Sequence, residues 1–519
     1  MNLFPTIFRM NLINTIFLKY SHNLLKELDL GRKDPMQYQE KWFRYLLECG
    51  RESAFGKEYG FDNIKTVKEF QQRVPVMDYN ATAPYINRML DGEDYVLWNR
   101  KVKMFSKSSG TSADKSKFIP VTDESLKTTH YGGFLRMLAT YVNNNPGSRI
   151  FMGKALTLGG SVKPVATGRA VTGDLSALLL MNSPRIVEFI RTPRRDTALM
   201  GDFNDKLEAI CRESAMQNVT NFSGVPSWNL MLMNKVLDYT GKRNICEVWP
   251  NMELFMHGGI GFEPYREIYR KLIPSGRMHY LENYNASEGY FAFQDVEDEE
   301  GMLITANNGI FYEFIPMGML QDVLEGKVKE IPTLAEVQTG VDYAMVISTI
   351  GGLWRYLIGD CVRFVSTFPH KIVITGRTQL HINAFGEELM ISNAEQALAK
   401  ACSKCRCTVT DFTVAPVFME LGDDSHASKG FHRWAVEFGT PPADTDEFAS
   451  VLDYYLTTLN SDYEAKRAGD ATMKQLEIVV LPKGRFMEWM RQRGKMGGQN
   501  KVPRLYKDER FIKQLCGLS

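Results

Sequence analysis

Residues 105–122 read FSKSSGTSADKSKFIPVT, with Ser108, Ser109, Gly110, Thr111 and Ser112 side by side and Lys115 and Lys117 just beyond. Hydroxyls and backbone N–H groups donate to phosphate oxygens, glycine lets a backbone come close, and lysine neutralises charge. The stretch reads as a polyphosphate cradle or as a solvated hairpin. Four further stretches carry reactive groups. LENYNASEGYFAFQ (281–294) sets Tyr284, Ala286, Ser287 and Glu288 among aromatics. GLWRYLIGDCVRF (352–364) ends a strand-like run at Gly359-Asp360, and ITGRTQLHINAFGEEL (374–389) carries Gly376 and Arg377. GKMGGQNKVPRL (494–505) places Lys495 and Lys501 in a glycine-containing loop. Taken singly, each has an ordinary reading: Tyr284 fills a core, Glu288 is a surface acid, Asp360 is a turn residue, Arg377 pairs with a neighbour, and the lysines are solvated.

Other chemistries lack their signals. There is no G-x-x-x-x-G-K-[ST], no H-E-x-x-H and no G-x-S-x-G, and the eight histidines form no pair at metal spacing. The cluster CSKCRC at 402–407 has neither a second cysteine pair nor a close histidine pair to complete four zinc ligands. It reads as a solvent-side helix end or turn.

The elements that must position these groups follow from periodicity. The first hundred residues are helical in pattern, as in DPMQYQEKWFRYLLECGRESAFGKEYGF (34–61). Helices are expected again at 123–142, 204–218 and 226–240. Between 300 and 385 the runs MLITA, IFYEFIP, AMVISTI, KIVITG and QLHINAF read as strands. This alternation predicts an α/β core. Beyond residue 385, helix, strand, strand, helix, strand and helix follow at 391–402, 407–418, 432–438, 446–460, 475–482 and 484–495, a small α+β domain of ordinary size. The boundary falls in the glycine-containing turn at 374–388.

With 519 residues the chain is long enough for two or more folding units. Its 62 basic and 61 acidic residues leave a net charge of +1, so nothing electrostatic points to nucleic acid or an anionic membrane as the main partner. Eight scattered cysteines suit reduced thiols in a cytoplasmic protein rather than a disulfide framework. The apolar start MNLFPTIFRMNLINTIFLKY is too short and too polar to span a bilayer. It is expected to form an amphipathic helix docked on the core rather than a targeting segment.

Taken in order, SSGTS with its two lysines, YNASE, WRYLIGD, GRTQLHINAFGEEL and GKMGGQNKVPR resemble the GH3 acyl-acid amido synthetases. That auxin-responsive family belongs to the adenylate-forming superfamily, with acyl-CoA synthetases and firefly luciferase. The resemblance runs from about residue 100 to 505, and the tail from LNSDYEAKRAG onward resembles the prokaryotic branch. It implies a large adenylate-forming domain over 1–375, a hinge at 376–379 and a smaller mobile α+β lid over 380–519.

The implied reaction joins a carboxylic acid to ATP, releasing pyrophosphate, and then passes the acyl group to an amine or amino acid. ATP and magnesium are the implied cofactors, a small-molecule acid and an amine the partners, and a monomer the implied state. By the same resemblance, Ser108–Ser112, Lys115 and Lys117 face the phosphates and Glu288 ligates magnesium. Tyr284, with Ala286 and Ser287 beside it, lies against adenine. Asp360 takes the ribose hydroxyls, Arg377 reaches the ribose or phosphate, and Lys501, with Lys495 as its competitor, meets the α-phosphate. Trp228, Met231, Gly258 and Gly259 lie in the two stretches expected to line the acid, although helix packing accounts for Trp228 and Met231 equally well. The chain departs from the family at Gly→Asp114 in the phosphate loop and at Gln379 in the hinge. An AMP-forming acyl-CoA ligase and a non-catalytic acyl-binding protein of the same fold are the alternatives.

Overall fold

The structure is a computed structural model that describes residues 12–108, 117–160, 162–164, 170–259, 262–378, 381–382, 384–387, 389–418, 430–470, 472–492, 504–506 and 508–516. The start of the chain is helical, as its spacing predicts: Leu12–Lys33, Pro35–Gly50, Val67–Arg73 and Tyr79–Leu90. The ends carry their signals. Asp34 accepts from the Gln37 N–H with Pro35 at the first helical position, and Thr66 and Glu69 form a reciprocal capping box.

The first helix docks on the core as expected, with Leu28 buried and Phe17 and Leu18 packed against the same cluster, but its inner face is partly polar. It packs on Gly132–Asn144, but Asn14, Ser21 and Leu28 face inward while Leu12, Ile13, Ile16 and Tyr20 are exposed. The inward surface presents the carbonyl of Ser148, and the Asn14 amide donates to it at 2.8 Å. A leucine there would leave that acceptor unpaired.

The main sheet has eleven strands among the described residues. In spatial order they are Ile310–Pro316, Asp342–Thr349, Tyr356–Thr367, His370–Arg377, Met302–Ile304, Gly289–Phe293, His279–Ala286, Leu254–His257, Val219–Gly224, Lys154–Leu156 and Arg191–Thr192. The second half, from His279–Ala286 onward, is parallel and is crossed over by the helices Phe203–Ser214, Pro226–Thr240 and Glu263–Leu272. The first half is antiparallel. The strand His279–Ala286 is the seam, parallel to one neighbour and antiparallel to the other. In open α/β sheets, ligands collect beyond the carboxyl ends of parallel strands, where connections diverge.

Beyond Arg377 the chain builds a second unit. Thr408–Phe418, Gly430–Thr440 and Glu477–Leu481 form a three-stranded sheet. Period-two alternation sends Val414, Trp434 and Val436 to one face, under the helices Ile391–Cys405 and Thr445–Leu459. Ala415 and Ala435 face the helices Arg485–Gln492 and Arg510–Cys516.

Two local expectations change here. Of QLHINAF, expected as one strand, the described part pairs at His381–Ile382, with Leu389–Met390, while Gln379, Leu380 and Asn383 lie outside the described residues. The cysteine cluster does end a helix, with Arg406 in the left-handed region (φ 53°), but it is not solvent-side. Cys407 is buried, and Cys402 and Cys405 pack against the same core.

Candidate functional site

Three separated segments bring the chemistry to the seam strand. The first is the antiparallel hairpin Met104–Ser108 with Lys117–Val121, in which Ser108 stands opposite Lys117. Ser109, Gly110, Thr111, Ser112 and Lys115 lie outside the described residues. Lys117 is buried, with its ammonium 5.8 Å from the centre of the Tyr79 ring. Buried Ser106, two residues before the cradle, donates its hydroxyl to Ser287 at 2.8 Å and fixes the hairpin against the second segment.

That second segment is the hairpin joining His279–Ala286 to Gly289–Phe293. Ala286 pairs with Gly289, so Ser287 and Glu288 are its two-residue loop. A loop so short fixes both residues at the carboxyl end of the seam strand. Burial pushes the Glu288 carboxyl above its ordinary range and Asp360 adds to the rise, while Lys117 and Arg377 oppose it.

The third segment is the antiparallel pair Tyr356–Thr367 and His370–Arg377, whose register sets Asp360 opposite Arg377. Arg377 Nε lies 2.8 Å from Asp360 Oδ1, and the Tyr284 hydroxyl donates to Asp360 Oδ2 at 2.5 Å. Gly359 has φ 98°, a conformation side chains rarely adopt, and its carbonyl accepts from the Thr378 N–H at 2.7 Å. Tyr284, Ser287, Glu288, Asp360, Arg377 and Lys117 thus form one cluster. Each Asp360 oxygen already accepts one protein donor, and a carboxylate has about four acceptor positions, so two remain for a ligand.

An anchor beneath the site holds this strand pair. Arg355 enters the strand with φ 40° and is buried together with Glu313. Its Nε meets both Glu313 oxygens at 3.0 and 3.1 Å, and its other nitrogens donate to the carbonyls of Gln71, Val74 and Lys329. Gln71 also donates to Glu313 at 2.8 Å.

Sequence reasoning missed three residues. Tyr356 is buried with its hydroxyl unpaired among the described residues, and Glu288 and Tyr79 both contribute to raising its pKa, after burial. Its signal was legible: it stands in the same WRYLIGD stretch, four residues before Asp360. His130 and His257 are buried with Nδ1 unpaired among the described residues, and burial lowers them to about 4 and about 3. His130 reaches toward Asn285, and His257 stacks on Phe262 with ring centres 4.0 Å apart. Neither stands in a motif, which is why spacing did not find them.

The expected acid-lining residues divide. Gly258 follows the strand Leu254–His257, where a Cβ would stand 2.2 Å from the Asn283 carbonyl oxygen, and Gly259 has φ 85°. Both make the turn at the strand's carboxyl end possible. Trp228 and Met231 meet the small domain: the Lys466 ammonium sits 3.4 Å from the Trp228 ring centre, and the Thr472 hydroxyl 4.0 Å from the Met231 sulfur. Lys495 and Lys501 lie outside the described residues.

The GH3 family N-terminal domain matches residues 24–168 and 163–278, its central domain 303–377 and its C-terminal domain 392–510. The chain belongs to the GH3 family. Among curated relatives, it is 23% identical to an indole-3-acetic acid-amido synthetase of Arabidopsis thaliana, over 90% of this chain and 88% of that one. It is 24% identical to a jasmonoyl–L-amino acid synthetase of Oryza sativa subsp. japonica, over 92% and 94%. Among solved structures, it is similar to the GH3.15 acyl acid amido synthetase in complex with 2,4-DB, with a TM-score of 0.61, 18% identity and 96% of each chain covered. It is also similar to a 2-hydroxyisobutyryl-CoA ligase, with a TM-score of 0.55, 13% identity and 94% and 92% coverage. The fold is therefore that of the adenylate-forming enzymes. Among the described residues, no helix is long and apolar enough to cross a membrane.

Proposed function

We propose that this GH3 protein is an ATP-dependent, AMP-forming acyl-acid amido synthetase. The carboxylate of an acid attacks the α-phosphorus of ATP, and pyrophosphate leaves. An amine or amino acid then attacks the acyl carbon, AMP leaves and an amide forms. The observation that carries this reading is the convergence of Lys117, Tyr284, Ser287, Glu288, Asp360 and Arg377 at the carboxyl end of the seam strand.

The residue types fit the task. Activating a carboxylate is largely a matter of positioning and charge neutralisation. Lys117 and the 108–115 stretch supply cation, hydroxyls and N–H groups to the phosphates. Asp360 offers its two remaining acceptor positions to the ribose hydroxyls, with Arg377 beside it for ribose or phosphate oxygen. Tyr284, held by Asp360, presents its ring to adenine next to Ala286 and Ser287. Glu288, a carboxylate at a loop tip with a hydroxyl at Ser287, is the hard-oxygen donor that magnesium prefers, and magnesium there would offset triphosphate charge. Asn283, Asn285, His257, Gly258 and Gly259 stand at the same strand ends, with His130 of the helical segment Ser125–Tyr131 reaching toward Asn285, and the acid would lie toward them. Residues 1–375 hold nucleotide and acid, 376–379 act as the hinge, and 380–519 close over them, carrying Lys501 to the α-phosphate. Eight free thiols suit a cytoplasmic setting.

ATP–pyrophosphate exchange across aryl, indole and fatty acids tests the first step, and amide formation with amino acids tests the second. Glu288→Gln should lower exchange on the order of 10³-fold at saturating magnesium. Exchange with no acid at all would leave a non-catalytic acyl-binding protein. Exchange followed by transfer to CoA but to no amine would make it an acyl-CoA ligase.

A further inference from the structure

The two domains meet at a contact that site chemistry does not use. The helix Pro226–Thr240 of the large domain turns Trp228 toward the helix Ser461–Arg467 of the small domain. Lys466 is 1% exposed, and its ammonium lies 3.4 Å from the indole ring centre. A buried ammonium is costly unless something replaces its water, and an indole face does so best among the aromatics. Around it, Thr472 touches Met231, and the Tyr265 hydroxyl donates to the Ala384 carbonyl at 2.6 Å.

Lys466 is held in this pose from within its own domain. Its neighbour Tyr463 donates to Asp453 at 2.7 Å, and Arg467 grips the same carboxylate through Nε and a terminal nitrogen at 2.7–3.0 Å. The Lys466 carbonyl accepts from the Met473 N–H at 3.0 Å. The helix is thus bolted to the small-domain core on one side, and its lysine crosses the domain boundary on the other. Any rotation about the segment after Arg377 must part the ammonium from the indole.

We propose that Lys466 and Trp228 form a latch that holds the small domain in this orientation and so sets the balance between adenylation and acyl transfer. The proposal rests on the two-step reaction above, because only a chain with two working orientations needs such a latch. Lys466 and Trp228 are positioning residues: they act through domain placement, not on reacting atoms. Loss of either releases the orientation seen here and favours the other. The two half-reactions therefore shift in opposite directions, whereas a merely structural defect would slow both together.

The test uses the full-length protein. Lys466→Met and Trp228→Leu are compared with the conservative pair Lys466→Arg and Trp228→Phe, which keep a cation and a π face, and with the double variant Lys466→Met/Trp228→Leu. Hydrogen exchange of 226–240 in the substrate-free protein reads the latch without catalysis, and single-turnover kinetics read each half-reaction. The expected result is exchange about fivefold or more faster over 226–240 in the first two variants, with the rest of each domain unchanged. The ratio of adenylation to transfer rates should move about tenfold, and the double variant should be no worse than either single one. The conservative pair should stay near wild type. Equal slowing of both half-reactions, unchanged exchange over 226–240, or strictly additive effects in the double variant would overturn the latch. Wild-type protein without pyrophosphate exchange would instead remove the reaction, and the hydrogen-exchange result would still decide the contact.

Discussion

Asp360 shows how the site works residue by residue. A carboxylate with one oxygen on Arg377 and the other on Tyr284 is oriented before any ligand arrives, so no rotamer entropy remains to be lost on binding. Tyr356 lies under the same surface with a hydroxyl unpaired among the described residues. Removing a buried hydroxyl that has no partner should cost the fold nothing, and Tyr356→Phe is expected to be neutral or stabilising by about 1 kcal/mol in urea unfolding. If that hydroxyl serves the nucleotide, the same variant lowers pyrophosphate exchange by about tenfold. A destabilised variant with full exchange would show an unseen structural partner instead. His130 makes a pH prediction. Burial lowers its folded-state pKa from 6.5 to about 4, so the imidazole is neutral in the folded protein while the unfolded chain takes up the proton first. Stability is therefore complete above pH 6.5 and falls as pH drops toward 4, with about 2 kcal/mol lost at pH 5 from this group. His130→Asn should flatten the pH dependence of the urea midpoint between 7 and 5; an unchanged slope would mean that His130 binds its proton equally in both states.

Among the elements, the strand pair ending at Asp360 and Arg377 depends on Arg355. This residue sits at φ 40° with its guanidinium buried against Glu313 and three carbonyls. Such an ion pair is not strong evidence of net stability, but removing one member leaves a buried charge without its partner. Arg355→Met should therefore cost about 3–5 kcal/mol, read as a lower urea midpoint with an unchanged slope. Arg355→Met combined with Glu313→Gln should recover part of the loss. No recovery in the double variant would place the cost in the left-handed backbone or the unpaired carbonyls. The two-residue loop of Ser287 and Glu288 is rigid for a different reason: the pairing of Ala286 with Gly289 leaves no slack, and Ser106 ties it to the hairpin before the phosphate stretch.

For the whole molecule, the two-step reaction asks one active site to take two arrangements. Lys501, proposed to ride on the small domain, should matter only in the adenylating one. Lys501→Ala is expected to leave ATP affinity almost unchanged, lower adenylation by about 10²-fold, and slow amine attack on a chemically made acyl adenylate far less. Single-turnover measurement of each half-step decides this. Should Lys495→Ala be the variant that stops adenylation, the reacting lysine is the other one in the tail.

The sequence by itself was enough for six elements of the small domain, because each carries its own period and its own turn signals, and the structure keeps their order from Ile391 to Gln492 but adds the helix Ser461–Arg467, which periodicity did not single out. It was also enough to single out Tyr284, Glu288, Asp360 and Arg377, because short motifs mark them. It did not reveal that Tyr284 and Arg377 share one carboxylate. That depends on a register between strands and on a sheet that brings residues 76 apart into contact. Nor could it say which way apolar residues face when a second body covers them. In the helix Pro226–Thr240, Trp228 has the spacing of a core or pocket residue, yet it meets a lysine more than two hundred positions away. The first helix docks as its pattern predicts, yet Asn14 on its inner face meets a carbonyl while Ile16 is exposed. Periodicity reports that a helix has two faces. What each face touches is set by long-range packing, whose free energy belongs to both partners and is written in neither segment alone.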